Sequence, residues 1–369
     1  MLAFGWQFLT VHSNYQGRWN ALFCTGEKNS QPPELASENL YLFTGSQGYD
    51  GQMYHYIAHD PFFVRGLDMY LDAPRVRYRR ILIPLAAHVL ALGRDGRIDA
   101  AYIGVILFTI FCGGYWLSLY AAAVGFHPAL GFSFLLIPAV LISIDRLTVD
   151  VALAALCIAL ALLVSRESRY RLYGVLLAAP LVRETGFLLV AGYVLSLLWK
   201  RRLRSALFFA TAALPALAWY AFVQLQTSSE DIAAFSRIPF QGIALRMATP
   251  YQYPFGPAIA AISTILDYAA LAAIALAVAL AIRMGFQRLA GPVEFGIYCF
   301  VIFAAFLFSP GAWAEVYAFG RTLSPLLILL GIYGLSKRYW IFTLPLLLVV
   351  PRTVIQLGPQ VIGVFRKVL

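Results

Sequence analysis

The chain has 369 residues, of which 61% are hydrophobic and 12% charged, with a mean hydropathy of +0.74. Soluble domains carry about 25% charged residues, so this balance excludes an ordinary soluble domain; apolar runs of about 17–25 residues recur unbroken rather than alternating, which argues against a β-barrel. The net charge of +10 does not point to nucleic acid, because the Lys and Arg stand in short clusters between apolar runs, the positive-inside pattern of a polytopic helical membrane protein, and not on one contiguous basic face.

Residues 1–11 are apolar but too short to span a bilayer at about 1.5 Å per residue. They read as the tail end of a first span rather than a cleaved leader, since no basic start and no small-residue cleavage site occur. Residues 12–97 follow as a long extracytoplasmic loop, punctuated by Gln31-Pro32-Pro33 and Gly45-Ser46. Its densest polar stretch is Gly48-Tyr49-Asp50-Gly51-Gln52-Met53-Tyr54-His55-Tyr56-Ile57-Ala58-His59-Asp60-Pro61-Phe62, with a short helix over 54–58 stopped by Pro61. A basic cluster holding Arg75, Arg77, Arg79 and Arg80 comes next. Residues 81–92 are apolar but short, an interfacial or partly inserted helix; if they span instead, the span count changes by one.

Residues 98–351 form the transmembrane bundle. Spans fall at 98–124, 129–144, 149–164, 206–223, 257–282, 293–308, 319–335 and 340–350, with two short arms, 171–182 and 185–199, around Arg183-Glu184. With the segments before 98, this makes one all-α membrane domain of about nine to eleven spans, ending in a tail over 352–369. No internal repeat and no separate soluble domain is evident. Cys112, Cys157 and Cys299 lie inside apolar runs, and with Cys24 they form no CxxC pair, so they read as small buried hydrophobes.

The basic loops orient the bundle. Residues 166–171, 200–204, 283–288 and Lys337-Arg338 are all cytoplasmic if the two short arms form an antiparallel pair. That topology places Asp50, Arg183-Glu184, residues 224–256 and residues 309–320 outside. The cluster at 75–80 then breaks the positive-inside rule, which suggests a second task such as holding an anionic ligand.

Several residues could carry chemistry. Asp50, between Tyr49 and Gly51 at a membrane surface, suits a general base; an ordinary turn aspartate has the same spacing. Gly48 and Gly51 let the backbone turn tightly and let a bulky substrate approach. Gln52, Tyr54 and His55 are candidate sugar contacts, since aromatic faces and polar edges fit a pyranose ring; an interfacial aromatic belt accounts equally for Tyr54 and Tyr56. Asp60 before Pro61 reads as a helix stop. Arg75, Arg77, Arg79 and Arg80 match phosphate oxygens, whether of a substrate or a lipid head group. Arg183 and Glu184 either neutralise each other or pair with partners on other helices. Asp145, Asp150, Glu315 and Arg321 fall at outer span ends, on the side of Asp50. Asp267 lies inside a span without a role. His55 and His59 are four apart, as zinc ligands on a helix can be, but no third ligand is evident, so no metal site is assigned. Walker, GxSxG and HExxH signatures are absent.

The motifs Gly48-Tyr49-Asp50-Gly51-Gln52-Met53-Tyr54, Ala58-His59-Asp60-Pro61-Phe62, Tyr78-Arg79-Arg80-Ile81-Leu82 with Pro84-Leu85, and Arg183-Glu184-Thr185 resemble those of bacterial polytopic proteins of cell-surface glycopolymer formation. These look like GT-C glycosyltransferases, distantly similar to the mannosyltransferases of GPI-anchor assembly. The resemblance runs in order from about Trp19 to Arg321, and departs from the family in its shortened first span. It implies an inverting hexosyltransferase in the bacterial cytoplasmic membrane, taking a sugar from a polyprenyl-phosphate donor to a glycan or lipid acceptor on the extracytoplasmic face, with no further cofactor. Asp50 then deprotonates the acceptor, and Arg79, Arg80, Arg183 or Arg321 stabilises the departing phosphate. A transporter or flippase of lipid-linked glycans, or a non-catalytic membrane assembly subunit, is the alternative; transporters often have matching halves, and none is visible here.

Overall fold

The computed structural model describes residues 1–228, 234–253 and 256–368. It is mostly helical, 76% helix and 2% strand. Among the described residues, three helices are long and apolar enough to cross a membrane: Asp95–Ala123, Leu203–Gln226 and Pro257–Phe286. Three bent pairs qualify if each counts as one span, and three shorter apolar helices stand beside them, Asp150–Ser165, Glu184–Trp199 and Pro292–Phe306. Outward-facing Phe108, Phe111, Ile262, Ile265 and Ile302 are exposed large apolar side chains, as a lipid-facing surface requires. The expected loop of residues 224–256 is described only in part, since 229–233 and 254–255 lie outside the described residues.

The expected spans at 129–144 and 319–335 are both broken. Pro128–Leu136 meets Pro138–Arg146 at 64°, and Val316–Thr322 meets Ser324–Lys337 at 54°. Pro138 and Pro325 sit in the first turn after each break, where a missing N–H costs nothing but the preceding helix cannot continue. The freed backbone groups are recaptured across the two breaks. Ser324 Oγ accepts from Ala139 N at 3.1 Å and donates to Gly320 O at 2.7 Å. Such re-satisfaction makes a broken helix tolerable away from water. Arg321 stands just before one break, and Asp150 opens the helix that follows the other pair.

Close helix packing relies on small residues. A Cβ on Gly192 would run into the Gly296 backbone, where Phe187–Trp199 crosses Pro292–Phe306. The residues expected to form a C-terminal tail instead form the end of Leu344–Ile355 and the helix Gly358–Val368. The latter packs against Leu2–Asn14, with Asn14 Nδ2 donating to Gln360 O at 3.1 Å. Pro359 at its start supplies a helix-compatible φ that the tail reading overlooked.

The stretch before the long helices folds around one buried helix, Asp50–His59, longer than the 54–58 expected. It packs against the 3₁₀ turn Trp19–Phe23, the helix Leu82–Leu90 and the start of Asp95–Ala123. Every residue from Gly51 to His59 is buried. A two-residue parallel pairing, Thr25–Gly26 with Leu42–Phe43, ties down the preceding loop. Leu82–Leu90 has nine residues, about 14 Å of helix, too short to span alone.

Candidate active site

Gly48 takes a φ of +77°, a left-handed turn that glycine adopts freely, and Tyr49 is extended ahead of the helix. Asp50 therefore occupies the first turn, where the helix dipole favours a carboxylate. Gly51 differs from expectation: a Cβ there would meet the carbonyls of Arg146 and Phe23, so its role is close packing of the helix on the bundle rather than access for a substrate. The helix ends where the Asp60 carboxylate accepts the backbone N–H groups of Val64, Arg65 and Leu67. That carboxylate is consumed by chain reversal, the helix stop expected of it.

Asp50 lies between two arginines. Its Oδ1 is 2.9 Å from Arg77 Nη1 and its Oδ2 is 2.7 Å from Arg321 Nη2. Arg77 is held from behind by both oxygens of Asp72, at 2.9 and 2.7 Å. Arg321 continues to Asp150, 3.5 Å from its Nε, and Asp150 pairs with Arg183. Arg183 also donates to Thr322 Oγ1 at 3.0 Å. Arg80 donates to both oxygens of Glu184, at 3.2 and 3.0 Å, and to Tyr54 Oη at 2.9 Å. The Arg77 guanidinium lies over the Tyr54 ring and that of Arg321 over Tyr49, with 5.8 and 5.2 Å to the ring centres. Segments far apart in the chain thus meet in one charge network.

The network is sunk but not sealed: the Asp50 side chain is 15% exposed and Glu184 27%. Its arginines are not used up. Arg183 Nε and Arg321 Nη1 are buried and without a hydrogen-bond partner, as is Arg79 Nε. Buried guanidinium N–H groups without acceptors are costly, and an anion would satisfy them. Burial works to raise the Asp50 carboxyl, but Arg321 and Arg77 outweigh it and hold it well below the usual carboxylate range. In this resting arrangement Asp50 is ionised, doubly paired and a weak base.

Of the residues expected at the site, Asp50, Tyr54, Arg80, Arg183, Glu184 and Arg321 come together. Arg183 and Glu184 turn to partners on other segments rather than to each other. Arg79 lies over the Tyr220 ring at 5.2 Å, beside the network. The remaining three are engaged elsewhere. Gln52 is fully buried, accepting from Gly26 N at 3.0 Å and donating to Tyr56 Oη at 3.1 Å, which fastens the loop before the helix. Glu315 faces Tyr251. His55 is taken up by a second cluster. Arg77, one of the four clustered arginines, and Asp150, one of the charges expected on the side of Asp50, complete the network; Arg77 and Arg80, three apart at the end of Pro74–Arg79, share a face.

The second cluster gathers His55, His59, Glu38 and Asp99. The third ligand missing from the sequence pattern is thus supplied twice, by residues 17 positions before and 44 positions after His55. His55 Nε2 is 2.7 Å from Asp99 Oδ1 and 3.5 Å from Glu38 Oε2; His59 Nε2 is 3.3 Å from Glu38 Oε1. Burial, aided by His55, pushes His59 down to about 3, and burial pushes Glu38 up to about 7.

A cavity of about 670 Å³ is apolar and lined by Leu2, Phe4, Phe111, Tyr115 and Phe132 among others. It lies between Leu2–Asn14 and Asp95–Ala123, away from Asp50, and suits lipid chains rather than polar chemistry. Asp267, without a role in the sequence reading, is enclosed by Arg246, Arg352 and Tyr253 at 2.8, 3.0 and 2.6 Å. The fold and these clusters define a helical protein with several apolar helices compatible with a membrane. No family model, no curated protein and no solved structure matches the chain.

Proposed function

We propose that this chain is a membrane glycosyltransferase of the GT-C type, with about nine to eleven membrane-crossing or re-entrant segments. It moves a hexose from a polyprenyl-phosphate donor to a glycan or lipid acceptor on the extracytoplasmic face of a bacterial cytoplasmic membrane, inverting the anomeric centre. The observation that carries this reading is the junction of Asp50 with arginines whose buried N–H groups lack partners. A base beside unsatisfied phosphate donors is what this transfer requires.

The resting pairs have a place in the mechanism. The donor phosphate competes with Asp50 for Arg321 and Arg77 and takes up the free N–H groups of Arg183 and Arg321. Asp50 then keeps its buried position but loses its neutralising partners, and its basicity rises. It accepts the proton of the acceptor hydroxyl as that oxygen attacks the anomeric carbon. The bond to phosphate oxygen breaks from the opposite face, and its electron pair leaves with the lipid phosphate, whose charge the arginines stabilise. Tyr54 holds Arg80 in place for this step. A transporter of lipid-linked glycans would use the same phosphate contacts but need no proton acceptor. Replacing Asp50 with Asn separates the two. Sugar transfer from a polyprenyl-phosphate donor in membranes is expected to fall about 10²–10⁴-fold with donor binding retained; unchanged transfer would remove Asp50 as the base.

A further inference from the structure

We propose that Glu38, His55, His59 and Asp99 bind one divalent transition-metal ion, which fastens the external loop to the bundle and fixes the helix that carries Asp50. The inference does not rest on the transferase reading.

Three separate segments supply the ligands. Glu38 ends the 3₁₀ turn Pro33–Glu38; His55 and His59 are one turn apart on Asp50–His59; Asp99 lies one turn into Asp95–Ala123. Residues four apart on a helix project to one side, so the two histidines present both imidazoles to the same point. Their Nε2 atoms face each other at 3.2 Å. All four ligand atoms lie within 4.8 Å of one another. Ligands about 2.0–2.1 Å from a tetrahedral ion sit about 3.3 Å apart, which matches the 3.2 Å between the imidazoles, the 3.3 Å from His59 to Glu38 and the 3.5 Å from His55 to Glu38; the 2.7 Å pair of His55 and Asp99 opens when the ion takes the place of its proton.

Protons alone satisfy this cluster poorly. His59 Nδ1 faces Asp95 Oδ1 at 2.8 Å. Donating there leaves His59 Nε2 as a lone pair directed at a second imidazole and a carboxylate. Glu38 Oε2 is buried without a hydrogen-bond partner. Both imidazoles are fully buried, whereas Asp99 is 30% exposed, leaving a route by which an ion enters. The His59–Asp95 bond is the carboxylate–histidine pairing that orients metal ligands, and Arg65 Nη1 holds Asp95 in turn at 2.7 Å. Two imidazoles with two carboxylates suit zinc, manganese or iron; calcium and magnesium prefer oxygen alone. His55 and Asp50 are five residues apart, about 7.5 Å of helix, so the ion anchors Asp50 without touching it.

The test uses the full chain, purified in detergent without a polyhistidine tag. Elemental analysis is expected to find about one equivalent of zinc, manganese or iron. Stripping with a chelator should lower the melting temperature, and one equivalent of zinc chloride should restore it. Asp95→Asn, outside the ligand set, should weaken zinc binding about 10–100-fold. Glu38→Gln with His59→Ala should abolish it. If the folded wild-type chain holds no such metal and zinc neither binds nor raises its melting temperature, the proposal is overturned whatever the variants do. None of these readouts is sugar transfer, so the two proposals fail separately.

Discussion

Two of the buried arginine–carboxylate clusters, around Asp50 and around Asp267, are built to different ends. Around Asp267, both carboxylate oxygens are occupied by Arg246, Arg352 and Tyr253. The remaining Arg246 donors reach the carbonyls of Ala314 and Thr249, and Asp267 and Arg352 are each 1% exposed. Around Asp50 each arginine is matched by a carboxylate and the cluster reaches the surface beside the open N–H groups of Arg183 and Arg321, whereas around Asp267 two arginines share one carboxylate and the open Arg352 Nη2 is sealed from solvent. A closed cluster ties helices together. One that reaches the surface keeps its donors within reach of a ligand, which is why the proposed function attaches to Asp50 and not to Asp267.

The sharpest way to break this comparison is to remove one carboxylate from each cluster. Asp267→Ala leaves Arg246 and Arg352 buried without their counter-ion and is expected to cost about 3–5 kcal/mol, seen as a large fall in melting temperature in detergent. Asp50→Asn should shift melting far less, because Arg77 keeps Asp72 and Arg321 keeps Asp150. Equal destabilisation would erase the distinction. Next in size is Arg321→Gln. Asp50 retains Arg77 and Asp150 retains Arg183, so the fold should survive, while sugar transfer falls about 10²–10³-fold as a donor to the leaving phosphate is lost. Variants at Arg246 that leave transfer intact per folded molecule would complete the contrast.

The pH dependence sharpens it further. Arg321 and Arg77 hold Asp50 well below the usual carboxylate range against its burial. A depressed carboxyl adds stability above its ordinary pKa of about 3.9 and loses it only as pH falls through the folded value. The free enzyme should therefore show no acid limb from Asp50 in kcat/KM above about pH 4. If a donor phosphate draws the arginines away, as proposed, burial acts unopposed and the acid limb in kcat should lie at higher pH, by about one unit or more. Coincident limbs would mean that the arginines never leave Asp50.

Much of this was legible from the chain, and the failures have physical causes. The long apolar runs at 98–124 and 257–282 became the helices Asp95–Ala123 and Pro257–Phe286, because an all-apolar run has no competing structure. The runs at 129–144 and 319–335 hid their breaks, although Pro138 and Pro325 marked them; hydropathy does not register which amide is missing. Asp50, Arg183 and Arg321 could be placed on one side by charge topology alone. His55 could not be assigned by spacing, since its partners Glu38 and Asp99 come from other segments. Gln52 looked like a binding residue in a polar run, yet its amide serves the backbone of Gly26. Polar density in sequence does not distinguish a side chain that waits for a ligand from one that closes a loop.

The smallest expected effect is also the most selective, because each cluster contains one tyrosine hydroxyl bonded to a charged group. Tyr253 donates to Asp267 at 2.6 Å, and Tyr54 accepts from Arg80 at 2.9 Å. Tyr253→Phe removes a bond to a charged carboxylate in a closed setting and is expected to cost about 1.5–3 kcal/mol of stability without changing transfer per folded molecule. Tyr54→Phe leaves Arg80 both oxygens of Glu184, so its stability cost should stay near 1 kcal/mol. What it loosens is the direction of a guanidinium that would face the phosphate, so transfer should fall about tenfold, in kcat more than in KM. Melting curves and steady-state kinetics on the two variants separate these outcomes. If Tyr253→Phe slows transfer and Tyr54→Phe does not, the open cluster is not where the chemistry occurs.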